Sequence, residues 1–297
     1  MNLVNTKLFI IGSGPAGISA ALYAKRGGAE VTILTRGEAQ GALDKASMIE
    51  NYYGFAEPIS GADLQRQGIA GAKRLGVQFI QGELLSLLMK DTLDGFKAIT
   101  TIGEFQADAV ILAMGTKRTR PQIKNFTTFE GHGVSYCAIC DAFFYRGKKV
   151  AVLGAGNYAL HEASVLLPHV QHLTLLTNGK PVPASMQASE KFTADMRKVQ
   201  ALEGDNKLAA VRFDDGETLA VDGLFIAIGT AGATEIAKKL GVMLSGTSIR
   251  VNQDMATNVP GVFAAGDATG GLLQIVKAVY EGAVAGLSAL KFLKAQK

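Results

Sequence analysis

The sequence contains one folding pattern twice: an apolar strand, a glycine-rich turn and a helix of small residues. The first copy is KLFIIGSGPAGISAALYAKRG (7–27), and the second is KKVAVLGAGNYALHEASVLLP (148–168). A second strand follows each copy, at 30–35 and 172–177, and a strand ending in glycine closes each, at 109–116 and 223–230. Such units build parallel sheets with helices on both faces. The sequence therefore predicts an α/β fold with two Rossmann-like, three-layer domains.

The C-terminal segment matches the start of neither copy. Its stretch VPGVFAAGD (259–267) is typical of a buried strand ending in Gly-Asp, and residues 272–293 have apolar positions at helical spacing. We predict that this segment returns to complete the first domain. The first domain would then comprise 1–116 and 245–297, with the second domain, 117–244, inserted in it.

The composition and charge of the chain argue against some classes of function. The chain has 297 residues, 48% of them hydrophobic and 19% charged, with a net charge of +4. That charge is too small to indicate nucleic acid binding, and no Lys/Arg run is present. The apolar stretches are shorter than the roughly 20 residues that span a bilayer, so no membrane association is expected. Because a strand begins near residue 7 with no signal peptide before it, we expect a cytoplasmic protein.

The first glycine turn is a complete G-x-G-x-x-G motif. It consists of Gly12, Ser13, Gly14, Pro15, Ala16 and Gly17. The first glycine permits the tight turn, the second lets the backbone approach a pyrophosphate, and the third lets helix and strand pack closely. The acid that usually ends the following strand is missing, because that strand ends at Thr35 and Glu38 comes three residues later. The motif predicts a dinucleotide site.

Residues near the C-terminus favour a flavin in that site. Asp267 follows Gly266 directly after a buried strand, where a carboxylate can accept a hydrogen bond from a ribityl hydroxyl. The last helix is expected to begin near Gly271, with Gln274 in its first turn. Its N-terminus and an amide donor would stabilise negative charge on a reduced flavin.

The two cysteines, Cys137 and Cys140, form a single C-x-x-C pair. They cannot complete a zinc site alone, and none of the four histidines pairs at finger spacing, so no metal site is predicted. C-x-x-C in a cytosolic α/β chain is typical of a redox-active dithiol, although a buried structural pair is the alternative.

Five motifs in order carry a resemblance to a known family: GSGPAG (12–17), IENYYGF (49–55), CAICDAFFYRGK (137–148), GAGNYA (154–159) and VPGVFAAGDATGG (259–271). Together they resemble the low-molecular-weight, thioredoxin-reductase-like flavoproteins. The resemblance implies an FAD domain made from both chain ends, a central pyridine-nucleotide-type domain and a homodimer. It places FAD contacts at Gly12 to Gly17, Thr35, Glu38, Gly41, Asn51, Gly115, Gly266, Asp267 and Gln274.

The same resemblance assigns roles around the dithiol. Cys140 would lie nearer the flavin, and Cys137 would attack the disulfide of thioredoxin to form a mixed disulfide that Cys140 resolves. Asp141 would be the acid/base for the thiol proton. The alternative for Asp141 is a helix-start carboxylate that accepts from backbone N–H groups. Phe143 and Phe144 would be docking contacts for thioredoxin.

The electron donor is a separate question. Relatives that use NADPH carry basic residues after the second strand of the central domain, whereas LLTNGKPVPAS (175–185) has only Lys180 and no acid. In addition, Tyr158 is expected to crowd the pyrophosphate path. NADPH is therefore a doubtful cofactor. LLTNG together with GNYALHEA resembles ferredoxin-dependent flavin thioredoxin reductases, so we predict reduced ferredoxin as the donor, and the mild positive charge suits an acidic ferredoxin.

Three alternatives stay open at this point. The chain could be an NAD(P)H-dependent thioredoxin reductase with an unusual nucleotide grip. It could be a related disulfide reductase that serves another disulfide protein, such as one in a peroxide-reducing system. It could also be a flavin redox sensor, which would complete one reduction and stop, whereas an enzyme would cycle.

Overall fold

The structure is a computed structural model that describes residues 4–37, 43, 46, 48–115, 121–136, 138–182, 191–229 and 232–296. The chain forms two compact units. The first unit comprises Met1–Lys117 and Gly232–Lys297, and the inserted unit is Arg118–Ala231. The return to the first unit therefore comes at residue 232, earlier than the expected 245, because the helix after residue 232 packs within the first unit.

The elements follow the chain in three groups. The N-terminal part of the first unit contains β1 (Val4–Ile11), α1 (Pro15–Arg26), β2 (Val31–Thr35), α2 (Gly61–Arg74), β3 (Gln78–Gln81), β4 (Leu84–Met89), β5 (Phe96–Thr100) and β6 (Gly103–Leu112). The inserted unit contains α3 (Phe126–Phe129), β7 (Val134–Ser135), α4 (Ala138–Asp141), a 3-10 turn (Ala142–Tyr145), β8 (Lys149–Leu153), α5 (Asn157–Leu166), β9 (His172–Leu176), β10 (Phe192–Asp195), β11 (Val199–Glu203), β12 (Ala210–Phe213), β13 (Thr218–Ala220) and β14 (Gly223–Ile226). The C-terminal part contains α6 (Ala233–Lys239), β15 (Leu244–Ser245), β16 (Ser248–Ile249), β17 (Val262–Ala264), a 3-10 turn (Gly266–Thr269) and α7 (Ile275–Ala295).

The first unit is built on a seven-stranded sheet with the order β3-β2-β1-β6-β5-β4, and β17 also pairs with β6. β1, β2, β3, β6 and β17 are mutually parallel, whereas β5 pairs antiparallel with both β6 and β4. The C-terminal segment thus completes the first sheet. Because carboxyl ends of parallel strands meet at one edge, the turns after β1, β2, β6 and β17 lie along the same edge.

Small residues let α1 and α7 pack closely against each other. A Cβ on Gly282 would overlap the carbonyl oxygen of Ala16, and one on Gly286 would overlap that of Ala20. Ala285 and Ala289 are fully buried in the same core. This packing fixes the start of α7 relative to the glycine turn before α1.

The inserted unit has a five-stranded parallel sheet with the order β10-β9-β8-β14-β7 and a separate antiparallel sheet of β11, β12 and β13. The short helix α4 packs against α5, which follows β8. Both units are therefore of the predicted Rossmann-like α/β class, with one inserted in the other. In the part of the chain that the structure describes, no helix is both long and apolar enough to cross a membrane.

Candidate active site

The glycine turn after β1 combines tight packing with open space. Gly12 has φ +112°, and a Cβ on Gly17 would overlap the carbonyl oxygen of Gly12, so both positions require glycine. At Gly14, by contrast, a Cβ would meet no heavy atom within 4 Å. The backbone at Gly14 is consequently open to a group approaching from outside, as the predicted approach of a pyrophosphate requires.

Side chains hold this turn in place. The hydroxyls of Ser13 and Thr35 lie 2.7 Å apart, which joins the turn to the end of β2. Gln65 of α2 is buried, and its Nε2 donates to the carbonyl oxygen of Ser13. Gln65 was not predicted, because its only signal in the sequence is that of a polar residue on the buried face of an amphipathic helix. Pro15 begins α1, and no side chain caps the helix N-terminus.

The remaining predicted FAD residues come from the ends of β6 and β17 and from two loops. Gly115 and Gly266 both have positive φ, +72° and +78°. Asp267 lies half-buried in the 3-10 turn after β17. Asn51 donates from Nδ2 to Oε1 of Gln274 at 3.2 Å, although the two residues are 223 positions apart in the chain. Gln274 immediately precedes α7 rather than lying in its first turn, because the helix begins at Ile275.

An ion pair at the start of α7 supports the turn that carries Asp267. Glu281 Oε2 accepts hydrogen bonds from Gly266 N and Thr269 Oγ1, at 2.9 and 2.8 Å. Lys277 Nζ donates to Gly266 O at 2.9 Å and lies 3.0 Å from Glu281. Both polar groups of Gly266 are thereby engaged. Neither charged residue was predicted, because an i,i+4 pair in a helix usually indicates a solvated face.

These residues fit FAD. The open backbone at Gly14 and the helix N-terminus without a side-chain cap suit a pyrophosphate. The half-buried carboxylate of Asp267 lies at the same edge of the sheet, where it could accept from a ribityl hydroxyl. Glu38 and Gly41, the other two predicted contacts, lie outside the described residues.

The dithiol segment lies in the inserted unit. Cys137 is outside the described residues, and Cys140 contributes its backbone to α4. Asp141 ends α4, and its Oδ2 accepts from Ser135 Oγ at 2.6 Å. No capping hydrogen bond runs from the Asp141 side chain to the following 3-10 turn. The structure therefore gives no support to the helix-start alternative for this carboxylate.

Two aromatic side chains after the dithiol point into solvent. Phe143 is 72% exposed and Phe144 is 67% exposed, and their rings meet edge to face with centroids 6.1 Å apart. Arg146 lies over the Phe143 ring, 5.6 Å from its centroid. Tyr145, which follows Phe144 in the sequence, turns inward against Phe225. Its burial, together with the charges of Asp141 and Asp222, raises its pKa. Phe143 and Phe144 are thus available for contact with another molecule.

The loop after β9, where a nucleotide ribose would be recognised, forms hydrogen bonds within itself and to the segment after β10. Thr177 Oγ1 donates to Lys180 O, and Gly179 N donates to Met196 O at 2.7 Å. Asn178 Oδ1 accepts from Val199 N at 2.8 Å. Within residues 177–182, the only basic side chain is Lys180.

An arginine and a lysine that follow β10 lie close to this loop. Arg197 binds Asp195 through two nitrogens, contacts Asp215 at 3.2 Å and stacks on Phe213 at 3.9 Å. Its donors are therefore directed at carboxylates. Lys198 extends along the loop, since a Cβ on Gly179 would lie 3.5 Å from its Cε. Neither residue was predicted, because both lie beyond residues 175–185, where the resemblance places the nucleotide-binding arginines.

The second glycine turn, after β8, is also needed for packing. A Cβ on Gly154 would overlap the carbonyl oxygen of Ala227, so this glycine lets adjacent chain segments approach regardless of any ligand. Tyr158 is only 2% exposed. That this buried side chain crowds the pyrophosphate path of a bound nucleotide stays a prediction.

Comparisons with known proteins agree with this architecture. Residues 6–282 match the family described as pyridine nucleotide-disulphide oxidoreductase. The thioredoxin reductase of Aquifex aeolicus (strain VF5) is 34% identical over 306 aligned residues, which cover 98% of this chain and 94% of that protein.

Two crystal structures are similar over the full length. An atypical thioredoxin reductase from Desulfovibrio vulgaris Hildenborough has 40% identity and a TM-score of 0.89, covering 98% of this chain and 99% of that one. A ferredoxin-flavin thioredoxin reductase from Clostridium acetobutylicum has 31% identity and a TM-score of 0.72, covering 99% and 100%. On this evidence the chain belongs to the pyridine nucleotide-disulphide oxidoreductase family, as a relative of its thioredoxin reductases.

Proposed function

We propose that the chain is an FAD-dependent thioredoxin reductase, in which Cys137 and Cys140 reduce the disulfide of thioredoxin and reduced ferredoxin supplies the electrons. The observation that carries the reductase assignment is the presence of two kinds of site in one chain. The first unit has a sheet edge that fits FAD, and the inserted unit has C-x-x-C-Asp in and before α4. The likeness to thioredoxin reductases over the whole chain supports the same assignment.

The residues of the first unit divide the binding of FAD between them. Gly12 to Gly17 and the start of α1 would hold the pyrophosphate, with Ser13 and Thr35 fixing the turn. Asp267 would accept from the ribityl chain, and Asn51 and Gln274 would lie beside it through their mutual hydrogen bond. When bound, FAD supplies the two electrons that reduce the Cys137–Cys140 disulfide, with two protons taken from the surroundings.

The dithiol then reduces the partner by exchange. The Cys137 thiolate attacks one sulfur of the thioredoxin disulfide, forms a mixed disulfide and releases the other sulfur as a thiolate that takes a proton. The Cys140 thiolate attacks the mixed disulfide, which re-forms the Cys137–Cys140 disulfide and releases reduced thioredoxin. Asp141, adjacent to Cys140 and hydrogen-bonded to Ser135, would handle the thiol proton.

The exposed pair Phe143 and Phe144 would be the docking contact for thioredoxin. Large apolar rings in solvent are costly unless a partner covers them, and aromatic residues are enriched at the centres of interfaces. The two rings follow the dithiol by three and four residues, so a partner that reaches the cysteines would meet them.

Ferredoxin is proposed as the donor because of the hydrogen bonds and the few basic side chains of the loop after β9. Its hydrogen bonds are used within the inserted unit, and the arginine next to Met196 is bound to Asp195 and Asp215. Among the described residues beside this loop, the basic side chains left for a 2′-phosphate are therefore Lys180 and Lys198, which lack the bidentate geometry of arginine. The name of the similar Clostridium acetobutylicum enzyme includes ferredoxin as well as flavin.

A pyridine nucleotide is the second candidate donor. The family description names pyridine nucleotides, and Lys198 lies along Gly179, so two lysines are close to the loop. If NADPH were used, these lysines would be its phosphate contacts. Lys180→Ala with Lys198→Ala would then raise the KM for NADPH severalfold.

The donor is tested by following the flavin absorbance of the purified protein without oxygen. NADPH, NADH and a reduced bacterial ferredoxin are each added with and without oxidised thioredoxin. We expect rapid bleaching and repeated thioredoxin reduction with ferredoxin alone, consuming two reduced ferredoxins for each thioredoxin disulfide. Rapid bleaching by NADPH, abolished in the double lysine variant, would replace ferredoxin with NADPH. Single reduction without turnover with every donor would indicate the redox sensor.

A trapping experiment tests the roles of the two cysteines. Cys140→Ser should accumulate a covalent mixed disulfide between Cys137 and thioredoxin, because the resolving thiol is missing. Cys137→Ser should not. Adducts formed equally by both variants would contradict the assignment of Cys137 as the attacking thiol.

A homodimer is also proposed. Exposed apolar side chains lie along α7 and just before it, at Leu272, Leu273, Val276, Tyr280 and Leu287. Val276, Tyr280 and Leu287 are spaced by four and seven residues, so they share one face of the helix. A face of this kind supports self-association of the first unit.

A further inference from the structure

Glu162 is a buried carboxylate that contacts the dithiol segment. It lies in α5 and is only 1% exposed. Its Oε2 accepts a hydrogen bond from Ala138 N at 2.8 Å. Ala138 is fully buried, begins α4 and stands between the two cysteines in the sequence. Since a buried carboxylate is costly unless it is hydrogen-bonded, this contact ties α4 firmly to α5.

The contact also places a carboxylate against the chain segment that joins the two cysteines. Ala138 is covalently bonded to Cys137 and is two residues from Cys140, so a carboxylate bound to its amide is close along the chain to both cysteines. A helix N-terminus normally stabilises a thiolate and makes a C-x-x-C pair more oxidising. A carboxylate at the same end has the opposite effect, because it disfavours a second negative charge nearby.

We propose that Glu162 is a positioning residue that holds α4 through Ala138 N–H and keeps the Cys137/Cys140 dithiol strongly reducing through its charge. A dithiol that must give electrons to thioredoxin has to favour its disulfide form. A neutral acceptor could make the same hydrogen bond, but it could not oppose thiolate formation. The inference rests on the proposed reductase function, which it deepens.

Other titratable groups lie on α4, on the turn after it, on α5 and next to β7, and they need to be held constant. They are Asp141 at its end, Tyr145 on the following 3-10 turn, His161 beside Glu162, and the hydrogen-bonded pair Tyr136 and Glu130 next to β7. These side chains are unchanged in the variants below. A difference between variants at position 162 therefore reports on Glu162 itself.

The test is a thiol–disulfide titration of the intact flavoprotein against reduced and oxidised dithiothreitol. The protein disulfide and one dithiothreitol exchange to give the protein dithiol and oxidised dithiothreitol, and free thiols are counted by mass after alkylation. Glu162→Gln keeps the hydrogen-bond acceptor and removes the charge. We expect it to favour the dithiol about threefold to tenfold at about pH 9.5, or roughly 15–30 mV, with little change at about pH 6, since an ordinary cysteine pKa is about 8.5.

Control variants separate charge from packing. Asp195→Asn makes the same carboxylate-to-amide change on β10, at the opposite edge of the sheet from β7, and should leave the titration unchanged. Glu162→Asp keeps the charge and should titrate like the native protein, even if Glu162→Gln fails to fold. Hydrogen exchange at the Ala138 amide should stay slow in Glu162→Gln and become faster in Glu162→Ala.

The outcomes discriminate between the two proposals. A Glu162→Gln titration equal to the native one at about pH 9.5, or a shift of equal size at both pH values, would overturn the charge role. A shift of the titration in Glu162→Asp as large as that in Glu162→Gln would also overturn the charge role. Failure of the native protein to form any Cys137–Cys140 disulfide would instead overturn the proposed reductase function.

Discussion

At the scale of single residues, the glycines of the first turn serve two different purposes. Gly17 lets α1 approach the backbone of Gly12, where a side chain would overlap the carbonyl oxygen. Gly14 has no neighbour within 4 Å of its missing Cβ, and its φ of −69° suits any residue. Packing alone therefore does not explain Gly14, whereas close approach of a ligand does.

This distinction predicts opposite behaviour for two alanine variants. Gly14→Ala should cost the flavin-free protein less than about 1 kcal/mol, because the methyl group enters open space at a helix start. It should nevertheless lose most of its FAD. Gly17→Ala should lower the free energy of unfolding of the flavin-free protein by about 1–3 kcal/mol as well as lose flavin. Urea unfolding measures the stability, and the flavin-to-protein absorbance ratio measures the bound FAD. Normal flavin content in Gly14→Ala would contradict the assigned pyrophosphate site.

The ion pair of Asp195 and Arg197 occupies arginine donors that could otherwise bind a ligand. The hydrogen bonds of Arg197 hold the pKa of the Asp195 carboxyl below its ordinary value of 3.8. A carboxyl with a lowered pKa stabilises the fold above its unfolded pKa, and this contribution disappears as the pH falls through the folded pKa.

Asp195→Asn should therefore be less stable than the native protein at about pH 7. The difference should shrink as the pH falls below the unfolded pKa of about 3.9 and vanish below the lowered folded pKa, where both side chains are neutral. The urea midpoint at a series of pH values measures this. A difference that persists unchanged in acid would show that packing, and not the charge pair, is responsible.

At the scale of elements, the contact between α1 and α7 determines the geometry of the FAD edge. Gly282 and Gly286 lie against the backbone of Ala16 and Ala20, directly after the glycine turn. Any increase in volume on this face has to separate the helices, and the turn that carries Asp267 is linked to α7 through Glu281.

Gly282→Ala should lower the free energy of unfolding by about 1–3 kcal/mol, because its methyl group would overlap Ala16 O. Gly71→Ala is the matched control: it is also a helix-interior glycine, but it has no heavy atom within 4 Å of its Cβ position. That control should be neutral or stabilising by up to about 1 kcal/mol, since alanine has the higher helix propensity. Equal effects of the two changes would contradict the packing argument.

At the scale of the whole molecule, the apolar face of α7 predicts self-association. Tyr280→Lys should place a charge at the centre of this face and shift the protein from dimer to monomer, measured by sedimentation at several concentrations. Ile102→Lys changes another exposed apolar residue, 52% exposed against 64% for Tyr280, which lies in a turn, and should leave the association unchanged. A native protein that sediments as a monomer at every concentration would contradict the dimer.

Much of the fold could be predicted from the sequence because its signals are local. A strand, a glycine turn and a small-residue helix are adjacent in the chain, so their order identifies two Rossmann-like units, and VPGVFAAGD identifies the returning strand. The first glycines of both turns, Gly12 and Gly154, were recognised for the same reason. Element ends were less certain: β1 begins at Val4 rather than near residue 7, and α7 begins after Gln274.

By itself, the sequence determined the fold class, the glycine turns and the chemistry available at Cys137 and Cys140, because each is written in consecutive residues. Only the tertiary structure decided which distant side chains serve those motifs. Gln65 reaches Ser13, Glu281 reaches Gly266 and Glu162 reaches Ala138 across separate elements. Hydrogen bonds of buried groups depend on distance in space and not on separation along the chain, so no local sequence pattern identifies which groups these side chains bind.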